Sequence, residues 1–312
     1  MNKLLILEQN ADEYAKELAD RSLPDLEMST SEGSNCSDSV IREVNIILGC
    51  PTLVARIIQQ AQRLEWVQSS FAGIEPFCEQ GLRKDYTLTG VKEVFGPLMS
   101  EYVFGYILVL ERNILVTREN QKQKLWRNIP YRSLAGLTIG ICGLGSIGRH
   151  IAQTAAHFQM RVLGLSLSGA PTPHVETVYT PNEIAAFARH LDYLVVVLPN
   201  TPLTKKMINA EVLNHLPKSA VLINVGRGPT VDQDALVTAL RDGTLRAAVL
   251  DVFETEPLPS DSPLWELKNA FVTPHNSALS FPKAVADIFC ENYECFRSKK
   301  PLKYVIDLER GY

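Results

Sequence analysis

Metal-ligand spacing is missing from this 312-residue sequence. Its six cysteines, Cys36, Cys50, Cys78, Cys142, Cys290 and Cys295, form neither CxxC pairs nor Cys/His clusters, which excludes a metal centre built on such spacing. A chain of this size can bury its own core without disulfide staples, so the thiols are expected to be reduced. A membrane-length apolar run, about 18 residues, is also missing. Leu4 to Leu7 is too short for the apolar region of a signal peptide, and acids follow it. Cytoplasmic location is therefore expected. Positive charge is not in excess either: 31 Lys and Arg stand against 35 Asp and Glu, a net charge of -4. That balance argues against nucleic-acid binding, which needs clustered cations. Repeats and low-complexity tracts are absent, and 46% hydrophobic with 21% charged residues is an ordinary globular composition. The length predicts two domains.

What is present is alternation. Apolar runs at 4–7, 44–48 and 64–67 read as parallel strands separated by helical pattern, a small α/β domain. Residues 99–115 form a long helical stretch that can carry the chain into a second domain, followed by a polar connection over 117–133. From Leu137 the rhythm is regular: strands at 137–142, 160–165, 192–198, 219–225, 246–250 and 270–273, with a helix at 146–158. Such alternation builds a doubly wound parallel sheet. A helix over 282–297 is placed to cross back onto the first domain. The expected division is thus 1–100 plus 282–312 for a smaller domain and 101–281 for a domain inserted into it.

The turn Gly143-Leu144-Gly145-Ser146-Ile147-Gly148 sits between a buried strand and an amphipathic helix, the setting that a pyrophosphate-binding turn requires. Gly143 permits the tight turn, Gly145 lets backbone approach phosphate, and Gly148 lets helix and strand pack closely. A plain βα loop is the alternative. The second strand should end in an acid if a 2′-hydroxyl is to be preferred. It ends instead in Leu165-Ser166-Leu167-Ser168, without acid or arginine. Ser166 and Ser168 can accommodate a 2′-phosphate, which tilts the expectation to NADP(H) with NAD(H) as the alternative.

Arg227, in Asn224-Val225-Gly226-Arg227-Gly228, follows an apolar strand at the usual ligand edge of an open α/β sheet. A guanidinium there can grip a carboxylate bidentately, although a lone arginine is more often a solvated charge. His275 follows a strand in Thr273-Pro274-His275, and imidazole suits proton transfer near neutral pH. The other histidines, His150, His157, His174, His190 and His215, read as surface residues. Glu256, Glu254 and Asp251 are competing partners for His275, and spacing alone does not choose among them.

Taken in order, the turn at 143–148, LPNTPLTKKMIN at 198–209, INVGRGPTVDQDAL at 223–236, LDVFETEPLP at 250–259 and TPH at 273–275 resemble the D-isomer-specific 2-hydroxyacid dehydrogenase family over nearly the full length. The overall length, PLWELKNAFVTPH at 263–275 and DLERGY at 307–312 resemble its glyoxylate/hydroxypyruvate reductase A branch. The resemblance implies a Rossmann cofactor domain inserted into a smaller flavodoxin-like α/β substrate domain. It implies hydride transfer from NAD(P)H to a small 2-oxo acid, with His275 as proton donor, Arg227 holding the carboxylate, and Glu256, which directly precedes Pro257, as the acidic partner of His275. It further implies that Asp251, Leu198, Pro199, Val225 and Gly226 lie at the cofactor, that backbone amides around Ala72 and Gly73 complete the carboxylate site, and that the protein is a homodimer. After His275 the chain has Asn276-Ser277-Ala278, where the family commonly has small apolar residues. A non-catalytic dinucleotide sensor or corepressor-like protein is the alternative function on the same fold.

Overall fold

The computed structural model describes residues 1–33 and 36–308, so Glu309 to Tyr312, part of the closing motif, lie outside the described residues. Two compact units are present, residues 1–94 with those from 280 onward, and Phe95–Leu279.

The first unit opens with β1 (Asn2–Leu7), α1 (Ala11–Ala19), β2 (Leu26–Ser31), α2 (Asp38–Glu43), β3 (Ile46–Gly49), α3 (Pro51–Ile57), β4 (Trp66–Ser69) and β5 (Thr87–Thr89). Its five-stranded sheet has the order β2-β1-β3-β4-β5, every pair parallel. This is the flavodoxin-like order. Leu4 to Leu7, Ile46 to Leu48, Trp66 and Val67 are buried, as strands covered on both faces must be. Two strands of this unit have no counterpart in the sequence reading. β2 is an edge strand, LEMSTS, mostly exposed or half-buried, and so carries no apolar run. β5 is three residues long.

The second unit begins with α4 (Phe95–Glu111) and α5 (Ile114–Lys122). The single helix expected over 99–115 is therefore two. Asn113 breaks it at φ 53°, the left-handed conformation that Asn tolerates better than most residues. Part of the expected polar connection is helical too: α5 has no buried residue, which is why no amphipathic pattern betrays it. There follow β6 (Thr138–Cys142), α6 (Ser146–His157), β7 (Arg161–Leu165), β8 (Thr177–Tyr179), α7 (Ile184–Ala188), β9 (Tyr193–Val196), α8 (Ala210–His215), β10 (Val221–Asn224), α9 (Gln233–Arg241), β11 (Ala247–Leu250) and β12 (Ala270–Val272). The sheet order is β12-β11-β10-β9-β6-β7-β8, all parallel. Direction of winding reverses between β6 and β9, a Rossmann arrangement whose switch point opens a crevice at the carboxyl ends of those strands.

Periodicity explains the packing of α6 on this sheet. Gly148, Ile151, Ala152 and Ala155 are buried at helical spacing, with small residues allowing close approach. On α4, Phe104 stacks on Phe158 with ring centroids 5.2 Å apart. The chain returns to the first unit in α10 (Pro282–Arg297), whose Phe289 stacks on Trp66 at 5.0 Å.

Candidate active site

Most residues singled out in the second unit lie just past the carboxyl end of a strand: Gly143 after β6, Ser166 after β7, Leu198 and Pro199 after β9, Val225 to Arg227 after β10, Asp251 after β11 and His275 after β12, whereas Glu256 lies farther along the loop after β11 and Ser146 to Gly148 open α6. Parallel pairing sets these ends along one edge of the sheet, where strand dipoles and loop amides can meet a ligand.

The glycine turn has the steric logic of a phosphate cradle. Gly143 has φ 100°, outside the range of ordinary side chains. A methyl group on Gly148 would lie 1.9 Å from the Gly143 carbonyl oxygen. A methyl group on Gly145 would meet no protein atom within 4 Å. Two glycines are thus demanded by the protein's own packing, whereas Gly145 faces open space. No side chain caps the N-terminus of α6, where Ser146 and Ile147 begin the helix. Uncapped amides and the positive end of a helix dipole fit a dinucleotide pyrophosphate. At the end of β7, Ser166 donates its backbone N–H to Tyr179 at 3.0 Å, while Ser168 and Leu167 are exposed.

Spacing left three acids as partners for His275, and the geometry separates them. Glu256 Oε2 lies 2.7 Å from His275 Nδ1, and Glu256 Oε1 accepts the Phe253 N–H at 2.9 Å. Glu254 instead accepts the Gln233 N–H at the start of α9, at 3.2 Å. Asp251 is fully buried and organises the loop that carries His275. Its Oδ1 accepts from Thr273 Oγ1 at 2.6 Å and from the Asn276 N–H at 2.9 Å, and its Oδ2 accepts the Ser277 N–H at 3.0 Å. The His275 N–H is bonded to the Asp251 carbonyl at 3.0 Å. His275 itself is held at φ 52°. Tyr102 OH reaches Thr273 Oγ1 at 2.6 Å. Asn276 and Ser277, the unusual residues after His275, therefore supply backbone amides to Asp251, and Ser277 Oγ contacts Met99 Sδ at 3.3 Å.

The hydrogen bond to Glu256 raises the His275 pKa above the ordinary imidazole value, against partial burial and the nearby positive charge of Arg227. Burial works to raise the Glu256 pKa, but the bonds from His275 and the Phe253 amide outweigh it and leave the carboxylate below its usual range. Arg227 is half-buried. Its Nη1 donates to the Gly226 carbonyl at 2.8 Å, and its own carbonyl accepts from Thr230 Oγ1 at 2.6 Å and Asn224 Nδ2 at 3.2 Å. A methyl group on Gly228 would strike the Phe253 carbonyl at 1.9 Å, so the loops after β10 and β11 must touch backbone to backbone.

Sequence reasoning missed the supports of this site. Thr273, Tyr102 and Asn224 carried no chemical signal, since each acts only through hydrogen bonds that hold other residues in place. Thr204 is another: its hydroxyl donates to the Pro199 carbonyl at 2.6 Å and fixes the loop after β9. Of the remaining histidines, His150 and His215 depart from the surface reading, both being half-buried, and His150 Nδ1 lies 2.7 Å from Ser100 Oγ. Among the described residues no group of His, Cys, Asp or Glu could hold a metal ion, and no helix is long and apolar enough to cross a membrane.

In the first unit, the loop after β4 is pinned at its root. Ser69 Oγ donates to the Phe71 carbonyl at 2.7 Å. Ala72 is exposed and Gly73 half-buried.

Residues 104–277 match the family model for the NAD binding domain of D-isomer specific 2-hydroxyacid dehydrogenases. A glyoxylate/hydroxypyruvate reductase A of Serratia proteamaculans is 33% identical over 257 residues, 80% of this chain and 82% of the relative. A solved D-isomer specific 2-hydroxyacid dehydrogenase family protein of Aeromonas salmonicida superposes with a TM-score of 0.95 at 43% identity, over 98% of this chain and 99% of that one. An NADPH-dependent glyoxylate/hydroxypyruvate reductase of Sinorhizobium meliloti, solved with NADP and sulfate, gives 0.88 at 28% identity over 100% of both chains.

Proposed function

The chain belongs to the D-isomer specific 2-hydroxyacid dehydrogenase family, and on that premise we propose that it reduces glyoxylate or hydroxypyruvate, with NADPH as the preferred cofactor. It is an NAD(P)-dependent oxidoreductase of small 2-oxo and 2-hydroxy acids, and the non-catalytic sensor is not favoured. The observation that carries the proposed chemistry is the 2.7 Å bond between His275 and Glu256, with Arg227 close enough to bear on both.

The bound nicotinamide supplies the hydride for the substrate's C2. The protein's residues do the rest. His275, donating Nδ1–H to Glu256, keeps Nε2 for the substrate carbonyl oxygen, to which it gives the proton. The Glu256 carboxylate stabilises imidazolium before the transfer and fixes the ring plane. Arg227 binds the substrate carboxylate and draws electron density from the adjacent carbonyl. Asp251, Val225, Gly226, Leu198 and Pro199 are assigned to the nicotinamide half of the cofactor, and Gly143 to Gly148 to its pyrophosphate. Ala72 and Gly73 are assigned to the substrate. Cofactor preference is supported by the absence of an acid at Ser166 and by the NADP bound to the Sinorhizobium meliloti relative. We further assign the protein to the cytoplasm and to a homodimer. Exposed Ile114, Leu115 and Val116 on α5 are the apolar surface that favours self-association.

The test is loss of absorbance at 340 nm with glyoxylate, hydroxypyruvate and pyruvate, each with NADPH and with NADH. Rapid oxidation of NADPH by one of the first two is expected, and His275→Ala should abolish turnover while leaving NADPH affinity within about threefold. NADPH binding without oxidation by any of the three acids would overturn the substrate assignment.

A further inference from the structure

Within the first unit, three strand ends meet at the carboxyl edge of the sheet: Glu8 after β1, Cys50 after β3 and Ser70 after β4. Glu8 is only 4% exposed, and the salt bridges among the described residues do not include it. A buried carboxyl without a cation is costly, so its polar contacts must compensate. It has two: the Ser70 hydroxyl, which donates to Glu8 Oε1, and the Gln9 backbone amide. Its titratable neighbours are the Tyr14 phenol and the Cys50 thiol, both neutral groups raised in pKa by burial and then by the charge of Glu8.

Phe71, exposed like Ala72 after it, is tied through its N–H and its carbonyl to Ser69 Oγ, and Ser70 is the fixed residue between them. The Ser70 N–H donates to Gly49 at 3.1 Å and its carbonyl accepts from Ser280 Oγ at 2.6 Å. Glu8 supplies the remaining restraint on the side chain. The strand ends can approach closely because position 49 is glycine: a methyl group there would lie 2.4 Å from the Leu7 carbonyl. A loop that offers backbone amides to an anion gains affinity from being ordered beforehand, since ordering costs are then not charged to binding.

We propose that Glu8 is a positioning residue that, through Ser70, holds the loop Phe71 to Gly73 ready to receive the substrate carboxylate. This rests on the assignment of Ala72 and Gly73 to the substrate. Glu8 touches neither substrate nor cofactor in this role. It acts on KM and leaves the chemical step to Arg227, Glu256 and His275.

Two readouts test it on the full-length enzyme. Backbone hydrogen exchange over residues 69–75 is compared for wild type, Glu8→Ala and Glu8→Gln, and steady-state kinetics are run with NADPH and the best 2-oxo acid. Glu8→Ala is expected to accelerate exchange in that segment and to raise KM about tenfold, the size of one net hydrogen bond, with kcat within about twofold. Glu8→Gln keeps a hydrogen-bonding oxygen and should restore both. Unchanged exchange in Glu8→Ala overturns the proposal, as does faster exchange with unchanged KM. An inactive wild type that still shows the exchange difference would instead bring down the substrate assignment while keeping Glu8 as the anchor of the loop.

Discussion

His275 Nδ1 and Glu256 Oε2 lie 2.7 Å apart, and the second oxygen of the same carboxylate is tied to the Phe253 amide at 2.9 Å. The bond raises the His275 pKa, so imidazolium, the proton donor for reduction, persists to higher pH than in a free histidine. Reduction should therefore be fully active on the acid side of that raised pKa and fall as pH rises through it. Glu256→Gln removes the charge and should move the fall towards acid by about one to two pH units. The reverse oxidation, which needs neutral imidazole, should gain activity at lower pH in the same variant. Rate profiles in both directions check this, and an unmoved alkaline limb would sink the assigned role of Glu256.

Two glycines of one turn should respond oppositely to the same added methyl group. Gly148→Ala places a carbon 1.9 Å from the Gly143 carbonyl, overpacking that should cost about 3 kcal/mol and lower Tm by roughly 6–12 °C. Gly145→Ala meets no protein atom within 4 Å, so its Tm should stay within about 2 °C. Its NADPH Kd should nonetheless rise at least about tenfold, because the methyl fills space assigned to the pyrophosphate. Calorimetry and fluorescence titration of the two variants separate folding from binding.

Arg227 and His275, to which the chemistry is assigned, stood out in the sequence because each follows an apolar strand, and a parallel sheet brings such positions to one edge. Buried strands such as β9 and β11 announced themselves as unbroken apolar runs. β2 did not, because an edge strand half open to water has no such run. The acid facing His275 was illegible from spacing: Glu254 and Glu256 are two residues apart, and only the path of the loop turns one towards α9 and the other towards the imidazole. Resemblance to the family, through Pro257, pointed to Glu256. Glu8 and Tyr102 were invisible for a related reason, since their hydrogen bonds join segments distant in sequence.

The end of β7 offers a test of cofactor preference. Ser166, the first residue after β7, is assigned to the place where a carboxylate would meet the adenosine ribose. Ser166→Asp should repel a 2′-phosphate while offering hydrogen bonds to a 2′-hydroxyl, shifting the ratio of kcat/KM for NADPH over NADH towards NADH by at least about tenfold. An unchanged ratio would place 2′-phosphate recognition elsewhere.

Away from the site, Glu111 is the buried centre of an ion network, its two arginines partly exposed, that joins α4 to the sheet. Its side chain is 2% exposed. It accepts two bonds from Arg132 at 2.9 Å, one from Arg246 at 2.6 Å and one from the Tyr193 hydroxyl at 2.5 Å. Burial alone would raise its pKa, but these donors outweigh it and bring it down to about 2. A depressed carboxylate adds stability that is present above the unfolded-state value near 4.5 and is lost as pH falls towards about 2. Glu111→Gln would leave two guanidinium groups, both still reached by water, facing a neutral amide, a loss of about 2 kcal/mol at neutral pH. The cost should shrink on acidification, because the wild type forfeits the same interaction there. Specific activity per folded molecule should hold, since Glu111 touches none of the residues assigned to catalysis. Urea unfolding of both proteins at pH 7 and pH 3 measures the difference, and an equal gap at the two pH values would mean that packing, not the carboxylate charge, accounts for the stability.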